Sequence, residues 1–205
     1  DFSFLTEKNE NTKSHFFYNL NKDFNFNYFD DSNLKIVVEQ TSNDTYLKSN
    51  KIKSEIFEGN DTLENSLTFD LFSDDFSIDA NFTVYENVNE KKSDRYEFIL
   101  PQISLDKKIE NKTSLNGNFL FQSNNLIKNY DTNIYEKINI NDLIFNSDKK
   151  VFDNGLVNKY SFILRNANSD AQNSEKFKEN ENFYFNGLFQ FDSTLPLIKE
   201  NEIFR

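Results

Sequence analysis

The 205-residue sequence predicts an all-β protein, an antiparallel up-and-down meander of about ten strands. Three observations predict it. Apolar and polar residues alternate with period two from end to end, no stretch sustains a helical period, and short turns alternate with longer polar connections. Alternation by twos puts successive side chains on opposite faces of a strand, so one face is apolar and the other wet. Alanine, the best helix former, is nearly absent.

The first clear run starts at Phe16. Phe16, Tyr18, Leu20, Lys22, Phe24, Phe26 and Tyr28 fall on one face, and Phe17, Asn19, Asn21, Asp23, Asn25 and Asn27 on the other. A tight turn is expected at 30–33, after which Leu34, Ile36 and Val38 keep the rule; a long polar loop is expected over 43–61. Leu63, Leu67, Phe69 and Leu71 then alternate with Glu64, Ser66, Thr68 and Asp70. Beyond a tight turn at 73–75 lies the clearest strand, with Phe76, Ile78, Ala80, Phe82 and Val84 against Ser77, Asp79, Asn81, Thr83 and Tyr85. Connections follow at 87–94, 109–114, 124–131, 148–154 and 168–181, the first, third and last of them longer. Phe183, Phe185, Phe189 and Phe191 close the pattern against Asn182, Tyr184, Asn186 and Gln190.

Composition narrows the function classes. Formal charge is 23 − 34 = −11, so nucleic acid is a poor partner, because Lys and Arg must neutralise phosphates. No apolar run approaches the ~18 residues of a spanning helix. With no cysteine, disulfides and thiolate metal sites are excluded from this stretch. The chain begins at Asp1 and holds no methionine, basic n-region or apolar h-region, so an internal piece of a longer protein is expected. Yet 24 Phe and 16% aromatic residues are far more than a disordered polar chain carries.

No group of residues makes an active site. His15, the one histidine, has no cysteine, serine elbow or second histidine beside it, and it sits on the polar face of its strand. Asp30 with Asp31 and Asp74 with Asp75 fall in expected turns, where no carboxylate is desolvated for acid–base work. Ser42, Asn43 and Asp44 lack the spacing and glycine of a calcium loop. Asn43, Asn60, Asn81 and Asn111 each begin an Asn-x-Thr triplet, but Asn81 lies mid-strand, where no glycan is expected. The expectation is a non-enzyme with no catalytic, cofactor-binding or metal-binding residue, no cofactor, and no assignable ligand-binding residue.

Alternation alone does not say what the apolar face touches, so a soluble β-sandwich and a membrane barrel remain equal readings at this point. The absence of an exact repeat of about 20–50 residues weighs against a solenoid. Only 4 Gly and 2 Pro weigh against a turn-rich sandwich.

Five segments in order add to the periodicity. They are Thr41-Ser-Asn-Asp-Thr-Tyr-Leu-Lys48, Asp61-Thr-Leu-Glu-Asn-Ser-Leu67, Ser93-Asp-Arg-Tyr-Glu-Phe-Ile-Leu-Pro101, Tyr130-Asp-Thr-Asn-Ile-Tyr-Glu136 with Asn141-Asp-Leu143, and Ser193-Thr-Leu-Pro-Leu-Ile-Lys-Glu200. Their order and spacing resemble the middle of the barrel in the lipopolysaccharide-assembly family LptD, the organic solvent tolerance proteins. The resemblance covers nearly the whole chain and implies that residues 1–205 are a partial C-terminal barrel domain. It implies a Gram-negative outer-membrane β-barrel that delivers lipopolysaccharide to the outer leaflet. The implied partners are lipopolysaccharide, an LptE-like lipoprotein plug, the periplasmic Lpt bridge and outer-membrane lipid. The family's periplasmic domain, its linking cysteines and its closing strands are expected outside this segment, and no individual functional residue carries over. Another outer-membrane barrel, a porin or receptor, is the nearest alternative; a soluble secreted β-sandwich binding protein is the other.

Overall fold

The computed structural model describes residues 2–5, 13–52, 61–113 and 115–196. Eleven strands form one antiparallel sheet. They are β1 (Phe2–Leu5), β2 (Lys13–Asp23), β3 (Asp31–Thr41), β4 (Thr62–Ser73), β5 (Phe76–Asn87), β6 (Tyr96–Ile109), β7 (Gly117–Tyr130), β8 (Ile134–Ser147), β9 (Lys150–Val151), β10 (Val157–Gln172) and β11 (Asn182–Thr194). One short helix, α1 (Tyr46–Ser49), lies between β3 and β4. Ten strands follow one another in sequence order from β1 to β11, without a crossover, while the two-residue β9 pairs beside β10. This is the up-and-down meander that the periodicity predicts. The sheet is open, with β1 and β11 at its edges.

Register explains why the two faces differ. Residues opposite each other on neighbouring strands share a face. The rung Leu20–Ile36–Leu67–Phe82 is apolar throughout, and the next one, Asn21–Lys35–Thr68–Asn81, is polar on the opposite face. The partition predicted for β5 therefore holds and extends across four strands. A register shift opposite Phe82 accommodates Leu100 and Pro101 in β6 as a bulge. Proline has no N–H to give a ladder, so a bulge is where a strand tolerates it.

Several expected boundaries move. The turn expected at 30–33 is instead the connection 24–30, where Phe24 N–H donates to Ser32 O at 2.8 Å and Phe29 N–H to Phe26 O at 3.1 Å. Phe24 stacks on Phe26 at 6.0 Å, so aromatic contact holds the turn although the alternation runs on through it. The open loop expected at 124–131 is strand up to Tyr130, and the connection shrinks to 131–133. Asp131 and Thr132 make that tight reversal with φ of 46° and 64°. The loop expected from 168 begins only after Gln172. In both places asparagine reads as a loop former but is spent on cross-strand hydrogen bonds. The 43–61 loop is less polar inside than expected, since Tyr46 and Leu47 of α1 are buried; its residues 53–60 lie outside the described residues.

Among the described residues the buried apolar groups are few, and apart from Val37 in the middle of β3 they sit toward the ends of the strands. At the end carrying 42–61, Phe17, Tyr46, Leu47, Leu63 and Val88 form one cluster. At the opposite end Phe145 is fully buried, with ring centroids 4.7 Å from Phe119, 5.3 Å from Phe162 and 5.7 Å from Tyr160. Burying such a side chain contributes about 1.5–3 kcal/mol, and little of the sheet between has a second layer to do the same.

Candidate functional site

The candidate site is a face rather than a cleft. On the wet side, neighbouring strands are tied by polar side chains. Asn33 Nδ2 donates to Asn21 Oδ1 and Asp23 Oδ1, both at 2.7 Å. Asn81 Oδ1 accepts from Thr83 at 2.8 Å and Thr68 at 3.2 Å. Gln122 donates to Asp106 at 2.8 Å, and Ser104 to Asn124 at 3.0 Å. Arg165 grips Asp142 through two bonds of 2.7 and 2.6 Å. A fork of this kind fixes geometry as well as charge, and it satisfies a carboxylate that is almost fully buried.

The wet side ends in an acidic basin at the loop end. Thr62, Tyr85, Asn87, Glu90, Asp94, Arg95, Tyr96, Glu97 and Asp131 line a cavity of about 670 Å³. Arg95 organises it, with its guanidinium 2.6 Å from Glu86 and 2.7 Å from Asp44. Its hydrogen bond to Asp44 raises the pKa of Arg95 and holds the Asp44 carboxyl below its usual range. Lys128 pairs with Glu97 at 2.7 Å. Four carboxylates against one guanidinium leave the lining negative, so its field favours cations and repels anions. Among the described residues, no three His, Cys, Asp or Glu side chains stand close enough together to hold a metal ion.

The residues weighed from the sequence are placed as follows. His15 is buried, as a lone core histidine would be, 4.9 Å from the Phe17 ring and 5.9 Å from Tyr46. Asp30 and Asp31, and Asp74 with Asp75, are exposed at the turn end. The Asn-x-Thr triplets turn out to be local hydrogen-bond motifs. Asn43 Oδ1 accepts from Thr45 Oγ1 at 2.8 Å, and Asn111 Oδ1 from Thr113 Oγ1 at 2.7 Å, each with the Thr N–H as second donor. These are Asx turns, while Asn81 makes the same side-chain bond inside a strand. Asn60 lies outside the described residues.

The separation of faces is not complete: Phe17, Val37 and Phe72 share the wet side by register, and sequence reasoning missed a wider break. On β7, β8 and β10 a patch of amides lies on the face that carries Phe82, along the rung Ala80–Ile103–Asn125–Asn139–Asn168. Ile138 and Ile140 point to the wet side instead, by the same register. The signal was present as Asn139-Ile-Asn141 and Asn166-Ala-Asn168, since spacing by two puts both amides of each pair on one face.

The fold and the site together define a class: an open antiparallel wall, wet on one side and apolar on most of the other. No protein-family model matches the chain, and no curated protein shows significant similarity to it.

Proposed function

We propose that this chain is part of the wall of an outer-membrane β-barrel, with its Phe/Leu/Ile face against lipid and its polar face toward a water-filled lumen. The observation that carries this reading is the unbroken meander of long strands, 11 to 16 residues each from β2 onward apart from β9, whose two faces separate by chemistry over most of β2–β6. A membrane strand needs about 9–11 residues. Aromatic pairs stand near both strand ends, as girdles do at the two membrane interfaces. Phe16 stacks on Tyr18 at 6.4 Å and Tyr96 on Phe98 at 6.0 Å near the loop end, while Phe24 and Phe26 stand at the turn end.

Within that class we assign it to lipopolysaccharide delivery, on the resemblance of its five ordered segments to the LptD family. The barrel is then a conduit, making and breaking no bond. The sugars of the glycolipid pass over the Asn, Ser, Thr and Asp of the wet face, and its acyl chains stay out of it. An LptE-like plug, the periplasmic bridge and outer-membrane lipid are the partners this role requires. The test is a photocrosslinking amino acid at Thr68 or Asn81, compared with one at Phe82, in Gram-negative cells. Lipopolysaccharide captured at Thr68 and Asn81, with phospholipid captured at Phe82, supports the assignment. Phospholipid at Phe82 without lipopolysaccharide at either wet position leaves a barrel of another kind, a porin or receptor. A protein recovered from the soluble fraction leaves a secreted binding protein.

A further inference from the structure

β8 and β10 carry matching chemistry rung by rung on the face that Phe82 shares. From the loop end downward, Lys137 lies opposite Asp170, Asn139 opposite Asn168, Asn141 opposite Asn166, and Leu143 opposite Leu164. No register shift interrupts this ladder. The amides are knitted together: Asn141 Nδ2 donates to Asn139 Oδ1 at 2.6 Å, and Asn168 Nδ2 donates to Asn166 Oδ1 at 2.8 Å and to Asn139 Oδ1 at 3.2 Å. Asn125 and Ser123 of β7 extend the network through Asn139 and Asn141.

An amide carries donors and acceptors together, so an array of amides complements another array of the same kind. Left against hydrocarbon or an apolar partner, such groups cost free energy that polar contact avoids. At the loop end of the patch Lys137 and Asp170 stand side by side, with Glu181 lining the same hollow. We propose that a second copy of this chain packs on this patch, about a two-fold axis running parallel to the strands between β8 and β10.

That operator carries each β8 position onto the β10 position of the same rung. Lys137 then meets the partner's Asp170, Asn139 meets the partner's Asn168, Asn141 meets the partner's Asn166, and Leu143 meets the partner's Leu164. Such an interface is isologous; its complementarity lies in the β8 and β10 rungs, while the same operator sets Phe183 and Phe185 of β11 over the partner's Asn125 and Ser123. The perpendicular two-fold fails, because it lays the Lys137–Asp170 rung over leucine. The parallel axis also keeps the loop ends of both copies on one side, as a shared membrane requires. The proposal goes beyond the barrel reading and does not depend on it, since two sheets in water would match by the same pairs.

The experiment uses the full chain, in detergent micelles if it needs them, with mass as the readout. The unsubstituted chain is expected at twice its 24.3 kDa. Lys137→Glu puts two acids face to face, Asp170→Lys puts two bases face to face, and each alone is expected to be monomeric. Mixed in equal amounts they are expected to recover the dimer as a heterodimer, because each altered residue then faces its opposite. Within either chain the altered rung stays like-charged, so recovery reports contact between copies. A monomeric unsubstituted chain, or two folded variants that fail to recover on mixing, overturns the proposal. Should either variant not fold, chains bearing N139C and N168C give a second readout, since the natural chain has no cysteine. Mixed together, they are expected to join by disulfide several-fold more than either alone, and equal or absent joining overturns the interface. Dimers found without detergent support the interface while counting against the membrane.

Discussion

Gly117 shows how tightly one position is determined. Its φ is +152°, and a Cβ there would lie 2.3 Å from the Asn146 carbonyl oxygen and 2.7 Å from the Phe145 ring. Gly155 also has a positive φ, +82°, but nothing stands within 4 Å of an added Cβ. Gly117→Ala is therefore expected to destabilise the protein by about 1–3 kcal/mol, and Gly155→Ala by less, because only the first adds a steric clash to backbone strain. Urea unfolding of both variants checks the ranking, and equal losses would remove the close-approach argument. Asp44 gives a pH dependence. Its folded pKa is depressed, chiefly by the Arg95 hydrogen bond, so the tether it forms is intact above the ordinary aspartate value of 3.8 and lost as pH falls below it. Hydrogen exchange at the amides of α1, corrected for intrinsic rate, is expected to show constant protection above that value and a decline below it. Asp44→Asn is expected to remove the step. A step that survives in Asp44→Asn would assign the titration to another group.

At the scale of the element, β5 offers the sharpest test of which face meets what. Phe82 and Asn81 are neighbours in sequence and stand on opposite faces by register. If the Phe82 face meets lipid near the bilayer midplane, Phe82→Arg is expected to cost about 2–4 kcal/mol of insertion, whereas Asn81→Arg is tolerated. Heat-dependent electrophoretic migration after refolding into vesicles measures the inserted fraction; the reverse ranking would exchange lumen and lipid. β11 makes a related point about edges. It pairs with β10 over 13 consecutive rungs without a bulge, contains neither Lys, Arg nor Pro, and leaves its far edge open. Soluble proteins guard such edges with charge, proline or bulges. Its one charge is Asp192, and so long and lightly guarded an edge fits the proposed barrel wall, in which every strand has a neighbour on both sides.

For the whole molecule, the deciding quantity is apolar surface without a partner. Phe183, Phe185, Phe189 and Phe191 are 55% to 70% exposed, all on one face. Among the described residues the packed apolar clusters lie toward the strand ends, and the strands between them close no core of their own. In buffer without detergent the chain is expected to aggregate, and in detergent or vesicles to disperse. Light scattering and size-exclusion chromatography report the difference directly. A monodisperse monomer in plain buffer, unfolding in one cooperative transition, would overturn the membrane reading, because only a self-closed core behaves that way.

Much of this was legible in the sequence. A period of two is a property of the extended backbone itself, so β5 and its two faces, the all-β class and the meander with short connections could be read from residue order alone. The exposure of Asp30, Asp31, Asp74 and Asp75 was equally plain, because acidic residues at turns bond the local backbone and stay in water. What only the tertiary structure decided was what asparagine does. In sequence, Asn124 to Asp131 and the stretch after Asn168 look like loops, since asparagine bonds its own backbone readily. In the sheet, Asn125, Asn139, Asn141, Asn166 and Asn168 find partners on neighbouring strands up to 29 residues away, and the strands run on through them. Arg95 likewise gains its meaning from Asp44, 51 positions distant. Local propensity ranks what a residue can do with its own backbone; register, which no local rule contains, sets which distant side chain is within 3 Å of it.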